Sequence, residues 1–275
     1  MDADTTPDVG AAPDADGDLD TGTDGDVAAS PQACTREFLK TTIDQYFDAL
    51  ATHDPSALPL ADTVRFTENT AETTVGEGLV WQSAGEVKFT RSLLDTERCG
   101  TVTEAVFPND GVDTIFGLRL QIAAGEITEI ESIVVDPETG FFATPSGILN
   151  STGNDWETLV PPEQRSTREE LEAAGAAYFA SFADDSVEPP YGMPCDRLEN
   201  GFKTTRGDCG NLGGAGGLRH PPQRYPVSDI EAGITAGFVL FGGGQIDFHM
   251  FKLVNHEIQF IDAVVGPRAR TSGWD

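Results

Sequence analysis

The feature that most constrains this chain is that it carries one pattern twice. Slid against itself, the sequence matches in three blocks, in the same order, at an offset of 131 to 132 residues. In the first block FLKTTIDQYFDAL (38–50) meets ELEAAGAAYFASF (170–182), so that Leu39, Tyr46, Phe47 and Leu50 fall on Leu171, Tyr178, Phe179 and Phe182. Spacings of three, four and seven place these residues on one helical face. The string Ser166-Thr167-Arg168-Glu169 just upstream of the second run predicts a capping box. In the second block VRFTENTAETT (64–74) meets CDRLENGFKTT (195–205), matching Glu68-Asn69 to Glu199-Asn200. In the third, LRLQIAAGEITEIESIVV (118–135) meets HMFKLVNHEIQFIDAVV (249–265), a strand, a tight turn and a returning strand in each copy. Each half reads helix, irregular strand, then paired long strands.

Composition divides the rest. Residues 1–33 hold nine Asp and no Lys, Arg or aromatic residue, and so read as a disordered acidic tether that cannot bury enough surface to offset its ordering entropy. The expected organisation is this tether (1–33), a first domain (34–136), a linker (137–165) and a second domain (166–275). The linker is rich in Pro and Gly, with Phe141, Phe142 and Trp156 expected to anchor it. The 275 residues carry a net charge of −29, and removing the nine Asp of the tether leaves the body acidic in its own right. Nucleic acid and anionic membranes are excluded as partners by that field. No run approaches the length of a transmembrane span, and the first residues lack the basic and apolar regions of a signal peptide. An exported protein, extracellular or at the cell surface, is expected to have lost its signal before this numbering begins.

Four cysteines, at 34, 99, 195 and 209, permit three pairings if all are oxidised. A Cys195–Cys209 bridge would close a short loop, and Cys34 with Cys99 would tie the start of the first domain to a later strand. Four buried thiols are the alternative. Zinc finds no CxxC or HxxxH spacing.

A helix that opens the unit, followed by an antiparallel sheet ending in a long hairpin, resembles the cone-shaped α+β fold of the NTF2-like superfamily. The string HMFKLVNHEIQFIDAVVG (249–266) is similar to the terminal hairpin of SnoaL-like polyketide cyclases in that superfamily. The opening FLKTTIDQYFDALATHDPSALPLADTVRFTENT (38–70), with RLENGFKTT (197–205), resembles secreted bacterial and fungal proteins built of two SnoaL-like repeats. The resemblance implies an α+β protein of two tandem NTF2-like cones, each with a pocket between helix and sheet. Superfamily members include isomerases, dehydratases, cyclases and non-catalytic modules, so the fold does not settle the function.

The two repeats differ where chemistry would sit. Position 118 is Leu, whereas its match is His249. Alternation along 246–254 puts Asp247, His249, Phe251 and Leu253 on one face. SnoaL-like cyclases tend to carry an acid–base carboxylate near this position, and a histidine there titrates near neutrality. Asp262, on the returning strand opposite or nearly opposite, is expected to orient His249. Tyr178, on the inner helical face, would donate to a developing oxyanion. Arg197 would grip a carboxylate, Glu199 and Asn200 would bind hydroxyls, and Arg224 would line the mouth of the pocket. Each also has a plainer reading: a core histidine, an outward carboxylate, a packed tyrosine, a capped bend, a strand edge. The glycine-rich GNLGGAGG (210–217) lacks the lysine of a phosphate loop, DADGDLD (14–20) lacks the final glutamate of a calcium loop, and His53, His220 and His256 read as exposed.

The expected function is cofactor-independent acid–base chemistry, as a lyase, dehydratase or isomerase, on a small polar organic molecule in the second domain. His249, Asp262 and Tyr178 would be catalytic. The competing expectation is a non-catalytic small-molecule-binding or surface module whose two repeats pair within the chain.

Overall fold

In the computed structural model the described residues are 33–138, 140–151, 154–205, 207–210, 223–242, 244–271 and 274. The acidic tether through residue 32, with its DADGDLD string, the glycine-rich run 211–217 and His220 lie outside them.

Each repeat begins with a capped helix. In α1 (Arg36–Thr52) the Thr35 side chain accepts a hydrogen bond from the Phe38 N–H, and His53, in the left-handed region, closes the far end. The helix α3 (Arg168–Ser181) starts with a full capping box. The box is Thr167 with Glu170, one residue later than expected, because starting at Thr167 places Arg168 in the first turn, where it reaches carboxylates of the other repeat. Along both helices the apolar stripe is buried: Leu39, Ile43, Tyr46, Phe47 and Leu50 in one, Leu171, Ala174, Tyr178 and Phe179 in the other.

The strands that follow are β1 (Leu60–Glu68), β2 (Ala71–Thr73), β3 (Phe89–Asp95), β4 (Gly100–Asn109), β5 (Val112–Ala123) and β6 (Glu126–Val135). After a short linker helix α2 (Pro145–Leu149) and α3 come β7 (Tyr191–Glu199), β8 (Phe202–Thr205), β9 (Gln223–Asp229), β10 (Ile234–Phe241), β11 (Gln245–Val254) and β12 (Glu257–Arg268). Among the described residues they form two six-stranded sheets of one topology, β2-β1-β6-β5-β4-β3 and β8-β7-β12-β11-β10-β9. Only the β1–β6 and β7–β12 pairings are parallel. The chain is therefore α+β and duplicated.

One face of each sheet carries its own helix, burying Phe66, Phe107 and Phe116 under α1 and Val239, Phe251 and Ile261 under α3. The other faces meet in a shared core, with Val102, Ile115 and Ile133 from the first repeat against Val227, Met250 and Val264 from the second. Gly117 permits this approach, since a Cβ there would lie 2.3 Å from the Phe248 ring of the other sheet.

Reciprocal ion pairs fasten the junction. Arg168 binds Asp95 in bidentate fashion at 2.7 and 2.9 Å, and its counterpart Arg36 binds Asp229 at 2.6 Å. The two aspartates also accept across the junction, Asp95 from the Ser228 N–H and Asp229 from the Leu94 N–H, both at 3.0 Å. Deeper in, Arg91 pairs with Asp262, and Arg224 with Glu131. The repeats thus pair within the chain as an isologous dimer would, each contact appearing twice with partners exchanged.

Two disulfides, Cys34–Cys99 and Cys195–Cys209, choose one of the three possible pairings, and each lies within one repeat. The linker is packed: Trp156 is buried, and the Lys252 ammonium donates to the Thr158 and Trp156 carbonyls. Phe141 and Phe142 differ from expectation. They stay 38% and 46% exposed, with Phe142 stacked on Phe202 at the surface while Asn200 holds the linker backbone.

Candidate functional site

The site is built from β11, β7 and α3. Alternation along β11 turns His249 and Phe251 toward α3, and their rings meet Tyr178 and Phe179 there. The imidazole is fully buried. It stacks between Phe241 and Phe251, with ring planes 22° and 18° from its own.

A polar chain crosses this packed aromatic cluster. Tyr178 Oη lies 3.3 Å from His249 Nε2, and the Arg197 guanidinium donates to Tyr178 Oη at 3.3 Å. Arg197 also donates to Thr204 Oγ1 at 2.8 Å and lies 3.5 Å from Glu199. On the other side of the ring, Nδ1 is 3.1 Å from Asp247 Oδ1. That contact is close but off hydrogen-bond line, leaving Nδ1 and both Asp247 oxygens without a hydrogen-bond partner among the described residues. Because Tyr178 Oη accepts from Arg197, its proton is directed at Nε2. The network therefore assigns the histidine proton to Nδ1, facing the carboxylate.

Burial pushes the Asp247 carboxyl up, with the His249 ring drawing it partly back. Burial likewise raises the Tyr178 phenol, and Arg197 offsets only part of that rise. Tyr178 is thus a neutral donor, and beside the imidazole stands a carboxyl whose proton affinity burial has raised. Such a constellation can deliver or take up one proton beside a fixed guanidinium.

Of the expected residues, the structure brings together His249, Tyr178, Arg197 and Glu199. Asp262, Asn200 and Arg224 lie elsewhere. Asp262 pairs with Met250, not His249, and its side chain is buried in the junction against Arg91. The cause is a β-bulge: Leu253 pairs with Ile258 but Lys252 with Phe260, so the extra residue Gln259 shifts the phase and turns Asp262 to the other face. The signal was present in the sequence, since the inward residues Ile258 and Ile261 stand three apart, not two. Asn200 spends its amide on backbone, donating to the Phe141 and Val265 carbonyls and accepting from the Val265 N–H. Asn69 grips Val134 in the same way in the first repeat, which accounts for the asparagine the two repeats share. Arg224 stacks on Phe238 of its own sheet and turns to the junction, where it pairs with Glu131. The residue not proposed from sequence is Asp247, two positions before His249 on the same face.

In the first repeat Leu118 stands where His249 does, and Phe116 where Asp247 does. Tyr46, the counterpart of Tyr178, is buried edge-on to Trp81. Among the described residues no group of His, Cys, Asp and Glu is arranged to hold a metal ion.

One family matches, a domain of unknown function (DUF8021), over residues 32–143 and 164–265. The two segments make up most of the chain and correspond to its two repeats, so the chain belongs to this family. Among solved structures it is similar to an uncharacterized protein conserved in bacteria, with a cystatin-like fold, from Silicibacter pomeroyi DSS-3. That likeness has 22% identity over 36% of this chain and 76% of the other, with a TM-score of 0.30, too low to carry an argument. No curated protein matches.

Proposed function

We propose that the second repeat is an NTF2-like cone that performs cofactor-independent acid–base chemistry on a small polar organic molecule. His249 and Tyr178 move the proton, Asp247 holds the imidazole, and Arg197 stabilises developing negative charge. The observation that carries this reading is the Asp247–His249–Tyr178–Arg197 chain, set in an aromatic pocket whose counterpart in the first repeat is plain hydrocarbon at 118 and 116. Packing alone is satisfied there by Leu and Phe, so a polar chain that costs desolvation is retained for what it does. Two disulfides and an acidic body support secretion to an oxidising compartment.

A second reading has its own support. The His249 ring is fully buried, which suits a rigid polar core in a non-catalytic binding module. One experiment separates them. Small hydroxy acids, sugars and phenolics are screened by thermal shift, and every hit is followed by proton NMR in D2O for turnover or carbon-bound deuterium exchange. Wild type is expected to turn over or exchange a hit, and His249→Ala to lose about 10²–10⁴-fold of that rate. Binding by wild type and variant alike, with no exchange in either, would establish the module and overturn the catalytic reading.

A further inference from the structure

The first repeat buries a polar cluster of its own, beneath the strap 75–82 in the connection from β2 to β3. Within the strap Trp81 is fully buried, whereas Leu79 two residues earlier stays 66% exposed, so the strap lies at the surface. The Trp81 ring packs edge-on to Tyr46, with centroids 5.7 Å apart. A Cβ on Gly78 would lie 3.0 Å from both Glu68 carboxylate oxygens and 3.1 Å from Trp81 Cδ1. Only a residue without a side chain therefore lets the strap lie against both the carboxyl and the indole edge. Ser132 is the partner of Glu68 in the β1–β6 pairing.

Four buried polar atoms of this cluster have no hydrogen-bond partner among the described residues: Tyr46 Oη, Glu68 Oε2, Trp81 Nε1 and Ser132 Oγ. A buried indole or phenol ordinarily finds a partner, and a group left without one carries its full desolvation cost. Here donors and an acceptor stand unspent in one place. The indole fills the space, but residue 81 is fixed to the strap and does not bring its N–H into line with the carboxyl. The strap itself is held lightly. Among the described residues a single hydrogen bond joins 75–82 to another element, from the Leu79 N–H to Glu68 Oε1.

We infer that Trp81 is a displaceable plug in a ligand site of the first repeat, and that the ligand is a neutral, flat aromatic molecule of about indole size bearing one hydrogen-bond donor. The shape follows from the ring that fills the space now. The donor follows from Glu68 Oε2, an acceptor that the tethered ring leaves unused and a free ring can turn to meet. A negatively charged aromatic is disfavoured by the same carboxyl. Opening without a ligand would forfeit the burial of the indole, so the strap stays closed until another apolar ring replaces that surface. The site shares no residue with the His249 chain and does not rest on the acid–base reading.

The full chain, labelled with fluorotryptophan at its three tryptophans, is titrated with indole, N-methylindole and cyclohexanol and followed by fluorine NMR, the Trp81 resonance being assigned with Trp81→Phe. Indole is expected to bind the wild type and to move the Trp81 resonance to a solvent-exposed position, leaving those of Trp156 and Trp274 in place. N-methylindole, which lacks the donor, and cyclohexanol, which lacks the flat ring, are expected to bind about tenfold more weakly or worse. Glu68→Gln keeps an oxygen for the Leu79 N–H but puts an NH2 group where the unpartnered oxygen stood, and is expected to weaken indole about tenfold or more. Trp81→Ala removes the plug and is expected to bind indole more tightly than wild type does; if that variant does not fold, N-methylindole and Glu68→Gln decide. The inference is overturned if indole fails to bind the wild type, even where it fills the cavity left in Trp81→Ala, or if it binds without moving the Trp81 resonance. It is equally overturned if N-methylindole or cyclohexanol binds as tightly as indole, or if Glu68→Gln binds indole as the wild type does.

Discussion

At the residue scale, position 249 shows what a polar side chain in a core costs. The ring touches Phe179, Phe241 and Phe251, a setting in which Leu118 serves the first repeat without any partner. Replacing His249 with Leu removes the imidazole that lies 3.1 Å from the buried Asp247 carboxyl. That single change is expected to destabilise the protein by about 1–3 kcal/mol. The double variant His249→Leu/Asp247→Leu is expected to recover most of the loss, because both partners are then apolar. Leu is the better choice at 247: the residue paired with it is Val239, whereas Phe116 of the first repeat pairs with the smaller Ala105. Urea unfolding of the wild type, the two single variants and the double variant gives the coupling, and additive losses would show that the two side chains do not support one another. The helical stripe, the His249/Leu118 asymmetry and the inward face of β11 were all legible in the sequence, since each rests on local periodicity. The role of Asn200 was not, because its partners lie 59 and 65 residues away.

At the scale of elements, the terminal hairpins decide which face each side chain meets. Both contain a bulge at the same point, Thr128 in β6 and Gln259 in β12, where the register moves by one. Alternation counted from the turn therefore fails beyond it, and Asp262 is misread as the partner of His249. The bulge is a device of the fold, since without it Asp262 and Val264 would be driven into the pocket and Ala263 into the junction. Deleting Gln259 is expected to abolish the Arg91–Asp262 pair and to replace cooperative unfolding by a broad transition. Near-ultraviolet circular dichroism during thermal unfolding reads this directly, and a sharp transition with native ellipticity would mean that the strand tolerates either register. The capping box shows a smaller displacement of the same kind: Ser and Thr both cap helices, and a tertiary contact of Arg168 decides between them.

For the whole molecule, the junction between the repeats governs response to pH. Burial and the neighbouring Asp262 raise the Glu104 carboxyl to about 8, and burial raises Asp262 to about 6 although Arg91 draws it down. Both carboxylates converge on the Arg91 guanidinium, with Glu104 at 3.0 Å. A single guanidinium cannot neutralise two buried carboxylates, so the fold retains a proton that the unfolded chain has released. Stability from this cluster is therefore complete below the ordinary carboxylate range and declines as pH rises through about 6 to 8. Asp95 works the other way. Burial pushes it up, but Arg168 and the Ser228 and Arg98 N–H groups outweigh burial and hold it below its usual value, so its contribution is lost only in acid. The wild type is expected to unfold at lower urea at pH 8 than at pH 5, and Glu104→Gln, which keeps a hydrogen-bonding group without the charge, to reduce that difference markedly. Parallel profiles for the two proteins would refute the assignment.

The duplication, the helix and hairpin in each copy, the acidic tail and the pair of residues that differ at 118 and 249 were determined by the sequence alone. They depend on periodicity and self-similarity, which are properties of neighbouring residues. Tertiary structure decided the rest. It paired Arg91 with Asp262 across 171 residues, placed Asp262 and Arg224 in the junction, and left Phe141 and Phe142 partly exposed. The physical reason is that alternation says only that a side chain points up or down. Which of two buried faces receives it depends on a one-residue bulge, and what it meets there depends on a second sheet brought up from the far half of the chain.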